Sequence, residues 1–235
     1  MRSGASCLDD PAARYVTRVH RLGKGDRFVA FDPEAASEAD VEITLAGRDV
    51  HVLVGEVRDA ANLASPGLVL LQAIGKGDKP EQVVRAATVL GVEHVVFVES
   101  SRSVVRAGER SESRRKRWHA VAVEAARQSG RGDVPRISGP LPLADALALT
   151  SGASMRRVYL SPRGEMPLAA AIEGHRPGAA LAVFIGPEGG LDDAEEAALA
   201  EAAFAPAALG RFVLRTETAT VAVLGAIVAL SDGDR

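Results

Sequence analysis

Two patterns of hydrophobic positions divide the chain, and we place the boundary after residue 67. In the first part, apolar and polar residues alternate in Val41 to Leu45 and in Val50 to Val54, the start of a predicted strand that runs to Val57, on either side of Gly47. This alternation around a glycine-containing turn predicts a β-hairpin. Several short strands within about 70 residues indicate a small β-barrel over residues 1–67. The other strands predicted here are Tyr15 to Leu22 and Arg27 to Phe31.

In the second part, residues 68–235, continuous apolar runs alternate with helical patterns. Such runs predict buried strands of a parallel α/β sheet with helices on both faces. Asp192 and Glu195 have the spacing of a capping box, and Pro135 and Pro140 predict a loop. The predicted strands are Leu68 to Ile74, Val95 to Val98, Val158 to Leu160, Leu181 to Ile185 and Phe212 to Leu214. The predicted helices are Pro80 to Leu90, Glu112 to Ser129, Asp192 to Phe204 and Glu217 to Leu230. The last helix is apolar nearly all round and is therefore expected to be buried.

Composition narrows the class of protein. The chain has 235 residues, 47% of them hydrophobic, and a net charge of −3, so a large core is possible and no global charge excess indicates a partner. Cys7 is the single cysteine, which excludes a disulfide scaffold and favours a cytoplasmic setting. The longest apolar stretch, Thr218 to Leu230, is shorter than the roughly 20 residues of a membrane span. No secretory signal and no membrane partner are expected.

Charge is nevertheless unevenly distributed. Between Ser101 and Pro135, nine basic residues stand against four acidic ones. On charge alone, a phosphate-binding surface and an ordinary solvated helix face are equally good interpretations. The ratio of eight arginines to one lysine favours RNA, because guanidinium groups bind phosphate and stack on bases. Trp118 in the same helix is expected to be a core anchor rather than a stacking platform.

A glycine-rich turn follows one predicted buried strand and precedes a predicted helix. The run from Ile185 to Leu191 contains three glycines and a proline, so its backbone can approach a ligand closely. It matches neither a GxGxxG fingerprint nor a P-loop. Six acidic residues between Glu188 and Glu201, with no basic one, argue against a polyphosphate. The turn therefore indicates a binding site for another ligand, or a plain strand-to-helix connection.

The run from Leu209 to Ala219 holds a second group of candidate residues. Thr216 is predicted to cap a helix, with Glu217 in its first turn. Helix capping does not explain Arg215, which is expected at the carboxyl end of a buried strand. The histidines are scattered without metal-ligand spacing, so no metal site is expected, and the chain has no nucleophile elbow.

Taken together, these segments resemble one family. The runs Gly186 to Gly190 and Leu209 to Ala219 resemble the two C-terminal signatures of the ribosomal small-subunit methyltransferase E family, within the SPOUT (trefoil-knot) superfamily. The resemblance covers essentially the whole chain, in order. Further matching segments are His20 to Asp26, Gly75 to Lys79, Ala87 to Val92, and Glu124 to Ser129 with Arg131 and Pro135. Met1 to Pro11 departs from the family, because it lacks the usual basic-aromatic opening strand.

The resemblance implies a fold and an activity. The fold is a PUA-like, RNA-binding β-barrel over 1–67 followed by a knotted α/β domain over 68–235. The activity is S-adenosylmethionine-dependent methylation of N3 of one uridine in the 16S ribosomal RNA of the small subunit, by a homodimer. Within the dimer, the final helix from Val221 to Leu230 is either an interface element or part of the core.

The same resemblance implies the site residues. Uridine N3 must lose a proton, and Arg131 and Arg215 are the candidates for stabilising the resulting charge, with Glu217 as a base or as an orienter of Arg215. The cofactor is expected to bind Leu160, Ser161, Ile185, Gly186, Pro187, Glu188, Gly189, Gly190, Leu209, Gly210, Leu214, Thr216 and Thr218. RNA is expected to bind Arg18, Arg21, Arg102, Arg106, Arg114, Lys116 and Arg127.

Three other functions remain open at this level. A SPOUT enzyme of this kind could instead methylate a ribose 2′-hydroxyl. An RNA-binding ribosome assembly factor without catalysis would keep the basic surface but not need the glycine turn. A nucleotide-dependent enzyme would use that turn for phosphate, which its acidic surroundings disfavour.

Overall fold

The computed structural model describes residues 1–64, 67–102, 111–176 and 178–231. The chain forms two compact units. One comprises Met1–Leu63 together with Gly130–Val134, and the other comprises Ala64–Ser129 and Pro135–Arg235. The return of Gly130–Val134 to the first unit is a feature that the hydrophobic pattern does not predict.

The first unit is built on a five-stranded antiparallel sheet with the order β1-β4-β3-β2, in which β5 also pairs with β3. A short helix and one π-helical turn, Tyr15–Val19, connect its first two strands. The elements are β1 (Gly4–Cys7), α1 (Asp10–Arg14), β2 (Arg27–Asp32), β3 (Ser37–Ala46), β4 (Val50–Val54) and β5 (Arg58–Asp59).

The predicted hairpin is confirmed. Ala46 pairs with Val50 and Leu45 with His51 across the turn, and the register shifts between Ile43 and Leu45. Because side chains alternate between the two faces of a strand, one face of β3 and β4 forms the core of this unit. Its buried side chains are Val16, Ala39, Val41, Ile43, Val50, Val52 and Val54.

One expectation for the N-terminal region is wrong. The predicted strand from Tyr15 to Leu22 is helical through Val19. Helix formation starts locally, because the Asp9 carboxylate accepts a hydrogen bond from the Ala12 N–H at 2.8 Å and Pro11 lies in the first turn. The opening segment, although it lacks the family's basic and aromatic residues, does form a strand, β1, which pairs with β4.

The second unit is a seven-stranded, wholly parallel sheet with the order β10-β12-β9-β11-β6-β7-β8. Helices separate most of its strands. The elements are β6 (Leu68–Ala73), α2 (Lys79–Val89), β7 (His94–Glu99), α3 (Ser111–Ser129), β8 (Arg136–Pro142), α4 (Leu143–Ala148), β9 (Arg156–Leu160), β10 (Met166–Pro167), α5 (Leu168–Ala171), β11 (Leu181–Ile185), α6 (Asp193–Glu201), β12 (Ala205–Ala208) and α7 (Thr216–Ser231).

The central strands are buried on both faces, as continuous apolar runs predict. Every residue of β6 and β11 is buried. Trp118 of α3 is 2% exposed and packs on Phe97 of β7, with ring centroids 4.3 Å apart, so it is a core anchor. In a parallel sheet the carboxyl ends of the strands meet at one edge, which brings the segments after β6, β9, β11 and β12 together.

Three expectations for the second unit are wrong. The segment after Pro135, predicted as a loop, is strand β8. Phe212 to Leu214, predicted as a strand, is not one; the last strand is Ala205–Ala208, whose small residues give little strand signal. The apolar helix α7 is not buried all round, because Val221 and Leu230 are more than half exposed. Among the described residues, no helix is both long and apolar enough to cross a membrane.

Candidate functional site

A cavity of about 250 Å³ lies at the carboxyl ends of β9 and β11, beside the start of α7. It is enclosed by three segments: the end of β9 with the residues after it, the glycine turn after β11, and the chain between β12 and α7. Its lining residues are Tyr159, Leu160, Ser161, Pro162, Ile185, Gly186, Pro187, Glu188, Gly190, Leu191, Glu196, Leu209, Gly210, Arg211, Phe212, Val213, Leu214, Thr216 and Ala219.

The structure brings most of the predicted cofactor residues around this one cavity. Leu160, Ser161, Ile185, Gly186, Pro187, Glu188, Gly190, Leu209, Gly210, Leu214 and Thr216 all line it. Gly189 and Thr218 do not line it, and both are exposed, Gly189 in the glycine turn and Thr218 on α7.

The glycine turn is held in a tight conformation. Gly190 has φ +72°, in the left-handed region that favours glycine, and its N–H donates to the Pro187 carbonyl at 3.0 Å. A Cβ on Gly186 would lie 3.3 Å from the Leu191 side chain, so the turn also packs closely on itself. Gly186 and Gly190 line the cavity without side chains of their own, beside the Leu191 side chain.

The acidic residues after the turn serve mainly to start α6. The Asp192 carboxylate accepts a hydrogen bond from the Glu195 N–H at 2.8 Å, and the Glu195 carboxylate accepts one from the Asp192 N–H at 3.1 Å. This pair confirms the capping box. Glu195 also accepts from the Ser101 N–H at 2.8 Å. The Glu195 N–H and the Ser101 hydroxyl hold the pKa of Asp192 below its usual value. Among the described acidic residues of this segment, Glu188 and Glu196 line the cavity.

Arg102 fixes the other side of the glycine turn. Its Nη1 donates to the Gly189 carbonyl at 2.6 Å. A Cβ on Gly189 would lie 3.4 Å from the Arg102 Cβ, so the two residues pack side by side. A residue that the sequence suggests for RNA is thus part of the support of the turn.

The start of α7 is anchored to the sheet by buried polar groups. Thr220 Oγ1 lies 2.7 Å from Gln72 Oε1 of β6 and 2.9 Å from the Thr216 carbonyl. Thr216 is buried at the first residue of the helix, and its hydroxyl donates to Glu217 at 3.3 Å. Before the helix, Gly210 adopts φ +70°. These contacts fix where the Leu209-to-Thr216 segment closes the cavity.

Lys79 joins two of the segments around the cavity and is absent from the sequence-based set. Its ammonium contacts the Glu188 carboxylate of the glycine turn and lies 3.4 Å from Glu217 Oε2. The turn after β6 brings it there, since a Cβ on Gly75 would lie 3.2 Å from the Lys79 Cβ. In the sequence, Lys79 ends the Gly75-to-Lys79 segment, which is one of the segments that carry the family resemblance.

Two titratable side chains at or beside the cavity, Glu217 and Tyr159, have shifted pKa values. A hydrogen bond from its own backbone N–H, with the nearby Lys79 ammonium, holds the pKa of Glu217 below its usual value, so Glu217 is ionised at neutral pH. Burial, with the Glu196 carboxylate adding to it, raises the pKa of the Tyr159 hydroxyl. An ionised carboxylate that already accepts bonds from its partners is a weak proton acceptor.

The two arginines predicted to be catalytic lie in different surroundings. Arg215 is exposed and directly precedes Thr216. Arg131 belongs to the first unit, is 6% exposed, and donates through Nε and Nη2 to both carboxylate oxygens of Asp133, at 3.0 and 2.8 Å.

The remaining residues predicted for RNA are spread over both units. Arg18 and Arg21 are exposed in the first unit, and Arg127 is exposed at the end of α3. Arg114 is half-buried, and Lys116 is exposed and paired with Glu112 at 2.8 Å. Arg106 lies outside the described residues. Within the described ranges, no group of three or more His, Cys, Asp or Glu side chains is placed to hold a metal ion.

Comparison with known proteins gives one family. A family model for an RNA methyltransferase domain matches residues 63–228. The chain is 31% identical to ribosomal RNA small subunit methyltransferase E of Bacillus subtilis, over 91% of this chain and 85% of that protein. It is 28% identical to the protein of the same name from Synechocystis, over 92% of this chain and 70% of that protein.

Solved structures agree with this. The fold matches ribosomal RNA small subunit methyltransferase E from Neisseria gonorrhoeae bound to S-adenosylmethionine, with a TM-score of 0.81 and 26% identity over 98% of this chain and 94% of that one. It also matches a putative methyltransferase from Legionella pneumophila in complex with the same cofactor, with a TM-score of 0.79 and 26% identity over 97% of this chain and 93% of that one.

Proposed function

Because this chain belongs to the ribosomal RNA small subunit methyltransferase E family, we propose that it methylates N3 of one uridine in the 16S RNA of the small ribosomal subunit. The coarser activity, S-adenosylmethionine-dependent methylation of small-subunit ribosomal RNA, follows from the family itself. The observation that carries the proposal is that the glycine turn, the end of β9 and the segment before α7 all line one cavity.

The residues of the cavity fit this cofactor. Leu160, Ile185, Leu209 and Leu214 offer apolar walls for an uncharged adenine, and the backbone at Gly186 and Gly190 offers hydrogen-bonding groups without side chains. Glu196 supplies negative charge for a cation, whereas Glu188 shares its charge with Lys79. When bound, S-adenosylmethionine supplies a methyl group on a sulfonium centre. We propose as the cofactor site the predicted residues that line the cavity, together with Gly189 and Thr218, which do not line it; the lining residues are Leu160, Ser161, Ile185, Gly186, Pro187, Glu188, Gly190, Leu209, Gly210, Leu214 and Thr216.

Methylation at N3 needs a uracil ring that has lost its N3 proton. It also needs a protein group that stabilises the negative charge left on the ring. Of the two candidate guanidinium groups, that of Arg215 is exposed next to the cavity-lining Thr216, whereas that of Arg131 is held by Asp133. We therefore assign charge stabilisation to Arg215, with Arg131 as the second candidate. Glu217, ionised and paired with Lys79, is better suited to hold the site together than to accept a proton.

The substrate is held by basic residues outside the cavity. We propose that the first unit forms a PUA-like barrel that contacts RNA through Arg18 and Arg21, with α3 contributing Arg114, Lys116 and Arg127. The pairing of β3 with three strands and the register shift between Ile43 and Leu45 support closure of this sheet into a barrel. In the second unit, β11 inserts between β9 and β6, which both precede it in sequence, and this order supports the trefoil knot of SPOUT enzymes.

We also propose that the chain works as a homodimer in the cytoplasm. The core-facing side of α7 buries Ala219, Val223 and Leu224, while Val221 and Leu230, at the two ends of the apolar run from Val221 to Leu230, are 51% and 55% exposed. Unpaired apolar surface of this kind on a helix face supports self-association. Light scattering at micromolar concentration is expected to give the mass of two chains, and Val221→Glu that of one.

The test of the methylation itself uses ribosomal particles. Small subunits from a strain that lacks this protein should accept one methyl group from the purified chain and S-adenosylmethionine. N3 methylation blocks the Watson–Crick edge, so reverse transcription should stop at one uridine after the reaction and read through it before. A methyl group mapped to a ribose would replace the N3 assignment by a 2′-O one. Absence of transfer, with cofactor still bound, would favour the assembly-factor alternative.

A further inference from the structure

Phe212 presents its ring to solvent at the cavity. The residue is 71% exposed although it lines the cavity, and it is the most exposed aromatic side chain among the described residues. Leaving a side chain of this size in water forgoes a large apolar contribution to stability. A covering group is therefore expected when the protein works.

One face of the ring already has a partner. The Arg211 guanidinium carbon lies 4.9 Å from the centroid of Phe212, in the geometry of a cation–π contact. The pair therefore combines an aromatic surface with a positive charge. Base stacking on aromatic rings together with basic side chains is the usual way in which proteins hold unpaired nucleotides.

The position of the ring matches a requirement of the reaction. A base that is modified at an edge used in pairing has to leave the helix stack and be held beside the cofactor. Tyr159, the other aromatic residue that lines the cavity, is buried and points its ring into the core cluster. Phe212 is thus the aromatic lining residue with surface available to a base.

We propose that Phe212, backed by Arg211, is the stacking platform for the pyrimidine ring of the target nucleotide. The inference rests on the proposed function and goes beyond it by assigning the residue that holds the base. Stacking positions the acceptor nitrogen and makes no contact with the cofactor. Phe212 is therefore expected to contribute to kcat/KM for the RNA substrate and not to the affinity for the cofactor.

The test compares side chains that differ in stacking but not in hydrophobicity. Phe212→Leu keeps an apolar side chain without a π-face, and Phe212→Trp keeps the π-face. With small subunits as substrate, Phe212→Leu is expected to lower kcat/KM by about fivefold to a hundredfold, the range that stacking contributes per base. Phe212→Trp is expected to retain the wild-type value within about threefold. Leu149→Ala, which truncates an apolar side chain that is 49% exposed and lies away from the cavity, is the control and should match the wild type.

Two further measurements make the result specific. S-adenosylhomocysteine affinity by calorimetry should be unchanged in Phe212→Leu, and light scattering should give the same mass as the wild type. Weakened cofactor binding would overturn the inference in favour of a cofactor contact, and a lower mass would overturn it in favour of a contact between two copies. Equal activity of Phe212→Leu and the wild type would also overturn it, while failure of the wild type itself to transfer a methyl group would count against the proposed function instead.

Discussion

Lys79 Nζ lies 3.4 Å from Glu217 Oε2 while it also contacts the Glu188 carboxylate. One ammonium thus connects the turn after β6, the turn after β11 and the first turn of α7. The side chains of Lys79 and Glu217 are about one quarter and one fifth exposed, so this network is partly shielded from solvent. The Lys79 ammonium thus holds Glu188 and Glu217, which are 109 or more positions away from it in the sequence, in a fixed arrangement beside the cavity.

Removal of this ammonium should loosen the cavity. We expect Lys79→Met to weaken S-adenosylhomocysteine binding by about tenfold, equivalent to about 1.4 kcal/mol, because both turns lose their common partner. Lys79→Arg should retain most of the affinity, since a guanidinium can bridge two carboxylates. Calorimetry measures both, with the exposed Lys24→Met as the control for loss of one positive charge. An unchanged affinity in Lys79→Met would show that the network has no role in binding.

Gly210 offers a test of the cavity with a matched partner elsewhere. Gly210 and Gly174 have φ of +70° and +69°, and a Cβ on either would meet no atom within 4 Å. Alanine at either position should cost about 1–2 kcal/mol of stability from the left-handed backbone. Only Gly210→Ala places a methyl group beside the cavity, so only this variant should weaken cofactor binding, by about tenfold. Equal cofactor affinities in the two variants would place the binding site elsewhere.

The two candidate arginines should respond differently to truncation. Arg215→Ala is expected to lower the single-turnover rate on small subunits by about 10²–10³ with cofactor affinity unchanged, because it removes one charge-stabilising donor. Arg131→Ala is expected to destabilise the protein by about 1.5–3 kcal/mol, because Asp133 loses the two charge-assisted hydrogen bonds that it accepts from a buried guanidinium.

Urea unfolding and single-turnover kinetics, both run on each variant, separate these effects. Asp133→Asn should reproduce the instability of Arg131→Ala without lowering the rate of the folded enzyme. If instead Arg131→Ala is as stable as the wild type and loses its rate, then Arg131 is the catalytic arginine.

His94 gives the fold a dependence on pH. Burial, with the nearby Arg136 charge, lowers the pKa of His94 to about 4. In the unfolded chain the group titrates near 6.5, so between these values the unfolded state binds more protons and stability falls as the pH falls. The contribution is complete above pH 6.5 and is lost progressively towards pH 4, on the order of 1–2 kcal/mol by pH 5.

Urea unfolding at several pH values from 4.5 to 7.5 measures this dependence. His94→Gln should flatten the decrease, whereas the same substitution at His51, exposed on β4, should leave it intact. A decrease of the same size in His94→Gln and the wild type would assign it to other groups.

The sequence by itself determined which segments form most of the second unit. Buried strands such as Leu181–Ile185 are read directly from continuous apolar runs, because both of their faces are covered. The capping box at Asp192 and Glu195 is equally local, since its bonds join residues three apart. The hairpin between β3 and β4 depends only on alternation and a turn. The candidate cavity follows from the same logic, because glycine turns at the carboxyl edge of a sheet are common binding sites.

Only the tertiary structure decided those elements that depend on contacts between residues far apart in the sequence. Ala205–Ala208 forms a strand through its pairing with β9, whereas Phe212 and Val213 have strand-forming side chains, pair with none of the described strands and remain exposed. The contact of Lys79 with Glu188 and the return of Gly130–Val134 to the first unit join residues far apart in sequence. Propensity and periodicity are properties of neighbours along the chain, and they contain no information about which charged side chains meet across a sheet edge.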